Sequence, residues 1–199
     1  AGGIGQRQFG DFAANSDNRY FDCTLLLNDT VIKSKGFCTD VFFSSALAWI
    51  KRQEEANRAP YFAYITLNAP HGPMIAPESY KKRFLDMGYD QDTAGRLGMI
   101  ENIDDNIGRM MAKLSEWGAL EDALVIFMTD NGMSRRHYVK RDGTKETSFN
   151  AGLRGLKGSP FEGGGRVPSF WSWKGKLRAG VDIDALSAHI DFYKTLCEL

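Results

Sequence analysis

The stretch LVIFMTDNG (residues 124–132) decides the fold class of this chain. Val125, Ile126 and Phe127 are typical of a strand that is covered on both faces, and residues 129–132 then force a turn. In an open α/β sheet, ligands bind at the carboxyl ends of the strands. Asp130 and Asn131 therefore have two interpretations, as ordinary turn residues or as ligands for a bound group.

The flanking sequence predicts further strands and helices on both sides of this segment. Apolar residues at spacings of three and four indicate an amphipathic helix over 93–117, ended by Gly118. Two short apolar runs within 23–36 predict a hairpin, and irregular structure is expected over 1–22. We also predict the following elements: a helix over 40–58 capped by Thr39, a buried strand over 61–67, a short helix opening at Pro77, strands over 123–128 and 167–173, and a helix over 184–199. This order predicts an α/β sheet flanked by helices.

Composition excludes several functional classes. The chain has 199 residues with 43% hydrophobic content, enough for one sizeable core. Lys plus Arg and Asp plus Glu both total 25, so no net field attracts nucleic acid or an anionic membrane. No apolar run is long enough to span a membrane. The three cysteines form no C-x-x-C pair, which argues against structural zinc and leaves a Cys23–Cys38 bridge open.

Three polar groups lie where strands are predicted to end or in the loop beyond. His71 follows one strand, Asp130 and Asn131 follow another, and Lys157 lies between glycines in the glycine-rich loop over 132–166. Oxygen ligands suit a hard cation such as Ca²⁺ or, less well, Mg²⁺. The lysine suits an anion and the histidine suits proton transfer. The same residues are equally compatible with solvated turn and loop positions.

Two arginines and a glutamate of the same loop have structural interpretations. Arg154 is expected to be a solvated charge. Glu162 and Arg166 are expected to form an ion pair that holds the loop.

Five motifs in order resemble the arylsulfatase family of the alkaline phosphatase superfamily. They are GFCTDVFF (36–43), NAPHGP (68–73), MIENIDDNIGRMM (99–111), MTDNG (128–132) and GLRGLKGSPFEGGGRVP (152–168). The resemblance implies an alkaline phosphatase-like α/β fold, incomplete at both ends. We expect residues 1–199 to be part of one sulfatase catalytic domain, with an irregular and hairpin region over 1–36 and an α/β core over 37–199.

The resemblance also implies roles for the four polar residues. Asp130 and Asn131 match the pair that binds calcium. His71 matches the histidine that contacts the sulfate ester and protonates the leaving alcohol or assists sulfate release, and Lys157 matches the lysine that binds the sulfate oxygens. In the family these groups surround a formylglycine nucleophile made within a C/S-x-P/A-x-R motif, which forms a covalent sulfated intermediate.

That nucleophile motif is absent from the 199 residues, since neither Cys23, Cys38, Cys197 nor any serine heads it. We therefore expect a central fragment of a sulfatase, truncated at both ends and inactive alone, whose intact enzyme hydrolyses sulfate monoesters of a small molecule or a carbohydrate. The alternatives are a non-catalytic anion-binding remnant and a phosphatase or phosphonate ester hydrolase of the same superfamily. Family members are commonly exported or lysosomal. The basic insert over 134–150 is the candidate specificity loop, with solvated charges as its other interpretation.

Overall fold

The computed structural model describes residues 20–56, 60–134 and 136–199, and these form a mixed α/β structure. The irregular structure expected over 1–19 lies outside the described residues. The strands are β1 (Thr24–Leu27), β2 (Thr30–Lys33), β3 (Val125–Met128), β4 (His137–Val139), β5 (Lys145–Thr147) and β6 (Ser169–Ser172). The helices are α1 (Cys38–Glu55), α2 (Glu78–Asp86), α3 (Gln91–Glu116), the single turn α4 (Glu162–Gly165) and α5 (Asp191–Cys197), with a 3₁₀ turn at Ala119–Glu121.

The predicted hairpin is confirmed. β1 pairs with β2 in antiparallel register from Thr24 opposite Lys33 to Leu27 opposite Thr30. Asn28 and Asp29 both have positive φ, as a two-residue hairpin turn requires. Most of the hairpin is exposed, and only its base enters the core.

Helix α1 begins two residues earlier than predicted, at Cys38 rather than at residue 40. Phe37 is the N-cap, and Thr39 is fully buried inside the first turn rather than acting as the cap. The predicted apolar face consists of Val41, Phe42, Ala46, Trp49 and Ile50. The buried side is formed by Phe43, Leu47 and Ile50, so only Ile50 of that face is fully buried. The predicted end of this helix at residue 58 falls among residues 57–59, outside the described residues.

Helix α3 is confirmed, but its buried side differs from the predicted stripe. Asp90 caps the helix by accepting a hydrogen bond from the Thr93 amide at 2.7 Å. Besides Met99 and Leu114, the side that packs most closely carries small and polar residues, whereas Ile100, one of the regularly spaced apolar residues, is 42% exposed. At Gly98, an added Cβ would lie 3.1–3.2 Å from the start of α2, so glycine permits the two helices to approach closely. Gly118, with φ of 75°, follows the helix as predicted.

A buried polar network joins α1 to α3. The side-chain amides of Asn102 and Asn106 both donate to Oδ1 of Asp40, at 2.9 and 2.7 Å. Arg109 donates to the Asn106 amide oxygen at 2.6 Å. Both asparagines are almost fully buried, so Asp40 offsets a desolvation cost that unpaired amides would impose.

The strands form three separate antiparallel pairs in the described residues: β1 with β2, β3 with β6, and β4 with β5. The prediction that the strand over 123–128 is covered on both faces is wrong here. β3 has β6 as its neighbour in the described residues, and Phe127 is 39% exposed. The predicted strand over 61–67 is also wrong, because this segment pairs with no strand in that part of the chain and exposes Phe62 and Tyr64.

Two further predictions need correction. The long loop over 132–166 is not structureless, since it contains the β4–β5 hairpin and the helical turn α4. The C-terminal helix begins at Asp191 rather than at 184. Leu186 and Ile190, which the predicted helix would have packed, are almost fully exposed, so no apolar contact supports helix in this segment.

Candidate functional site

The turn after β3 places Asp130 and Asn131 at the surface. The Asn131 side-chain amide donates to the Gly132 carbonyl at 3.0 Å, which leaves its oxygen as the free acceptor. The Asp130 carboxylate is exposed, and in the described part of the chain it has no hydrogen-bond or ion-pair partner. The structure thus presents one carboxylate and one amide oxygen side by side.

Gly132 fixes this turn against the glycine-rich loop. Its amide donates to the Gly164 carbonyl at 3.0 Å. A Cβ at position 132 would lie well inside 3.0 Å of the Gly163 carbonyl oxygen, so no residue other than glycine fits without moving the backbone. This contact joins β3 to the loop that carries Lys157.

Lys157 is held beside the same turn by its own backbone. The Lys157 amide donates to the Met133 carbonyl at 2.8 Å. Gly155 and Gly158 on either side have positive φ. The Leu156 amide donates to the Ser159 hydroxyl at 3.0 Å, which tightens the loop. The lysine side chain is exposed and has no carboxylate partner among the described residues, so its charge is available to an anion.

His71 lies on an exposed turn whose backbone is held by the buried Tyr20 side chain. The buried Tyr20 hydroxyl lies 2.5 Å from the His71 carbonyl oxygen and 3.1 Å from that of Asn68. The His71 Nδ1 lies 3.0 Å from the Gly72 carbonyl oxygen, and because a carbonyl only accepts, this contact is a hydrogen bond in the tautomer with a proton on Nδ1. Nε2 is then the ring nitrogen that has no partner among the described residues.

Helix α3 supports both turns at neighbouring positions. A Cβ at Gly95 would overlap the Met74 carbonyl, so the segment after His71 rests directly on the helix. The buried Arg96 guanidinium donates to the Met133 sulfur at 3.0 Å and to the Ser134 hydroxyl at 3.1 Å. Gly95 and Arg96 therefore place the His71 segment and the Asp130 segment against one turn of α3.

Among the described residues, no hydrogen bond or ion pair joins the side chains of His71, Asp130, Asn131 and Lys157. Nor do these residues contain a cluster of three or more His, Cys, Asp or Glu side chains suited to a metal ion. Asp130 and Asn131 therefore fit a hard cation as two ligands of a larger set. No helix in the described chain is long and apolar enough to cross a membrane.

Comparison with known proteins identifies the family. The sequence profile described as Sulfatase matches residues 3–199. The chain belongs to the sulfatase family. The membership and the mixed α/β structure confirm the expected alkaline phosphatase-like fold, of which the chain holds a part.

Similar proteins cover most of this sulfatase chain. It is 29% identical over 189 residues to the uncharacterized sulfatase YdeN of Escherichia coli, covering 94% of this chain and 32% of that protein. It is 31% identical over 162 residues to the N-acetylgalactosamine-6-sulfatase of Canis lupus familiaris, covering 81% of this chain and 28% of that protein. The crystal structure of Ps i-CgsB in complex with k-i-k-neocarrahexaose has a TM-score of 0.66 at 27% identity, covering 77% of this chain and 32% of that one. The chain thus spans about a third of the length of these relatives.

The basic insert of this sulfatase is partly structural. Lys140 donates to the Met87 carbonyl at 3.1 Å and Arg141 donates to that of Leu85 at 3.2 Å, so both cations hold the β4–β5 hairpin at the C-terminal end of α2. Lys140 also lies 3.2 Å from Glu146. The hydrogen bond from Tyr89 and, to a smaller extent, the hydrogen bond from Lys140 lower the pKa of the Glu146 carboxyl. Arg135 of the insert lies outside the described residues.

The sulfatase loop contains one predicted pair and one correction. Glu162 and Arg166 form the expected ion pair at 3.4 Å, exposed and therefore weak. Arg154 is not simply solvated, because its guanidinium lies 3.7 Å from the centre of the Phe161 ring. Tyr20 and Arg96, which position the two turns, had no recognisable signal in the sequence, since an isolated tyrosine or arginine carries no pattern.

Proposed function

We propose that the protein to which these residues belong is a sulfuric ester hydrolase that cleaves sulfate monoesters to an alcohol and inorganic sulfate. The observation that carries the proposal is a pair of backbone hydrogen bonds, from the Gly132 amide to Gly164 and from the Lys157 amide to Met133. They pack the turn that carries Asp130 and Asn131 against the loop that carries Lys157. Oxygen ligands that hold a metal cation beside a lysine are suited to bind a monoanionic or dianionic ester. Both the cation and the lysine ammonium group offset the negative charge on the ester oxygens.

The residues have distinct proposed roles. Lys157 binds the sulfate oxygens through its unpaired ammonium group. His71 directs Nδ1 at the Gly72 carbonyl and presents Nε2 to the ester. In its doubly protonated form it donates the Nε2 proton to the oxygen of the leaving alcohol as the bond to sulfur breaks. The Tyr20 hydroxyl fixes the backbone that carries this ring.

Asp130 and Asn131 are the proposed ligands of a hard cation. Sulfatases are generally metal-dependent, and Ca²⁺ suits these oxygen donors better than Mg²⁺ because it accepts a larger and less regular ligand set. When bound, the cation supplies Lewis-acid stabilisation of the sulfuryl oxygens. The formylglycine nucleophile of the family has no candidate position within the 199 residues.

A sulfated carbohydrate is the proposed substrate class. Its support is the N-acetylgalactosamine-6-sulfatase relative and the oligosaccharide complex of the structural neighbour. Export or lysosomal targeting, as is common in the family, is the matching proposal for location.

Steady-state kinetics on the complete gene product test the reaction. We expect hydrolysis of an aryl sulfate, with kcat/KM lowered roughly 100-fold or more by Lys157→Ala or His71→Ala. Lys174→Ala and His189→Ala are the matched controls, since both side chains are exposed on other segments. Wild-type protein that cleaves an aryl phosphate but no aryl sulfate would establish the phosphatase alternative. Equal losses in the controls would remove the assigned roles.

Calcium binding tests the metal ligands separately from turnover. In isothermal titration calorimetry, Asp130→Asn should weaken Ca²⁺ binding at least tenfold, because a charged ligand is lost. Asp104→Asn, an exposed carboxylate on α3, should leave the affinity unchanged. Equal affinity in wild type and Asp130→Asn would exclude this residue as a ligand.

A further inference from the structure

Two cysteine thiols contact each other inside the core. Cys23 is 1% exposed and Cys38 is 0% exposed, and both belong to one cluster with Tyr20 and Phe37. The two side chains are hydrogen-bonded to each other. The pair lies on the side of the chain that supports the His71 turn, but neither thiol belongs to the proposed site.

Backbone hydrogen bonds fix both cysteines in place. The Ser34 amide and hydroxyl both donate to the Cys23 carbonyl, at 2.8 and 2.9 Å. The Cys38 amide donates to the Tyr20 carbonyl at 2.8 Å. Cys23 therefore lies at the base of the β1–β2 hairpin, directly before β1, and Cys38 is the first residue of α1.

The surroundings favour the thiolate form of one member of the pair. The Cys38 thiol donates a hydrogen bond that lowers the pKa of Cys23 to about 7. The same contact, together with burial, raises the pKa of Cys38. In the closed hairpin, Cys23 is therefore the member of the pair that ionises more readily to the thiolate.

The hairpin beyond these residues has little else to hold it. Leu26, Leu27 and Val31 are exposed. Two strands alone are marginally stable in water. A covalent bond at the base would therefore stabilise a segment that packing leaves weak.

We propose that Cys23 and Cys38 form an intramolecular disulfide that ties the base of the β1–β2 hairpin to the first turn of α1. The oxidant is a small-molecule disulfide such as oxidised glutathione. The Cys23 thiolate attacks one of its sulfurs and displaces one glutathione thiolate. The Cys38 thiolate then attacks the Cys23 sulfur of this mixed disulfide and displaces the second. Two protein thiols are oxidised, one glutathione disulfide is reduced, and the two protons go to the released thiolates. Both sulfurs are buried, so the exchange takes place while the hairpin is open.

Peptide mapping tests the bond directly. The chain carrying Cys197→Ser, which removes the exposed third cysteine, is incubated with oxidised glutathione, denatured, alkylated and digested with trypsin without reduction. Lys33 and Lys35 lie between the two cysteines, so peptides 20–33 and 36–51 remain joined only through the disulfide. We expect the joined pair, and its loss on reduction. Separate alkylated peptides, or glutathione retained on Cys23, would overturn the proposal.

Thermal unfolding tests whether the bond stabilises the fold. The oxidised Cys197→Ser chain should unfold roughly 5–10 °C above the same chain in reductant, because the bond closes a short loop in the unfolded state. The chain with both Cys23→Ser and Cys197→Ser should show no such difference. Oxidised and reduced Cys197→Ser samples share one sequence, so the comparison stands even where a serine variant folds poorly. An unchanged or lower midpoint after oxidation would refute the stabilising role.

Discussion

Gly132→Ala is the substitution that most sharply tests how the candidate site is built. The new Cβ would lie 2.9 Å from the Gly163 carbonyl carbon and closer still to its oxygen, so the backbone of α4 must retreat by about 1 Å. That movement breaks the 3.0 Å hydrogen bond from the Gly132 amide to Gly164. Overpacking costs about 1–3 kcal/mol and the lost hydrogen bond about 1 kcal/mol.

The expected loss of stability for Gly132→Ala is therefore about 2–4 kcal/mol, or a midpoint lower by roughly 5–15 °C for a chain of this size. Activity should fall further, because a displacement of about 1 Å between Lys157 and Asp130 costs roughly 100-fold in rate. Gly165→Ala is the matched control, since a Cβ there meets nothing within 4 Å. Calorimetry on the 199-residue chain and aryl sulfate kinetics on the complete gene product, each with both variants, provide the measurement. Equal midpoints and equal kcat/KM would refute the close-packing argument.

Three other substitutions test separate contacts. Tyr20→Phe removes the hydroxyl that contacts the His71 and Asn68 carbonyls, so stability in chemical denaturation should fall by about 1 kcal/mol. The kcat should fall more than in the control Phe21→Leu, which changes the exposed neighbouring residue. Equal kcat values in the two variants would count against a role for the Tyr20 hydroxyl in holding the His71 turn. Asp40→Ala removes the acceptor that the buried Asn102 and Asn106 side-chain amides share, and it should cost about 2–4 kcal/mol of stability. Asp104→Ala on the exposed side of α3 should cost well under about 1 kcal/mol. Similar unfolding midpoints for the two variants would contradict the network. The pKa of Glu146 is lowered below its ordinary value of 4.5, so its contribution is complete at neutral pH and is lost as the pH falls through the lowered value. Amide exchange of the β4–β5 hairpin should therefore rise at acid pH in wild type but be high and nearly pH-independent in Glu146→Gln once corrected for intrinsic exchange, and parallel profiles would exclude this carboxylate.

Helix α3 shows what sequence periodicity can and cannot predict. Its existence, length and C-terminal stop at Gly118 follow from the spacing of apolar residues and the glycine. Its buried side does not, because the tightest packing uses Gly95 and Gly98, which let Met74 and α2 approach where larger side chains would collide. Hydrophobicity ranks such positions as neutral, so the pattern points to the neighbouring stripe.

Strands and marginal helices depend on partners that the local sequence does not specify. Residues 61–67 have the composition of a β-strand, but they form no backbone pairing with a strand of the described chain. Residues 184–190 have helical periodicity, but their apolar side chains are exposed and contact no surface that would repay the cost of ordering them. Pattern alone cannot reveal whether the other half of a contact is present.

The four site residues were predicted from motifs, and their roles remain predictions. The contacts that bring Asp130 and Lys157 together could be inferred only in part, since glycines at 132, 163 and 164 indicate close approach without saying to what. The supports from Tyr20 and Arg96 come from distant parts of the sequence, so they become visible only in three dimensions.

A crystal structure of the complete gene product with Ca²⁺ and a sulfate ester bound is the most direct test of the central claim. We expect the cation to contact the Asp130 carboxylate and the Asn131 side-chain oxygen, the Lys157 ammonium to contact a sulfate oxygen, and His71 Nε2 to lie within hydrogen-bond distance of the ester oxygen. A cation and ester bound away from these side chains would contradict the account.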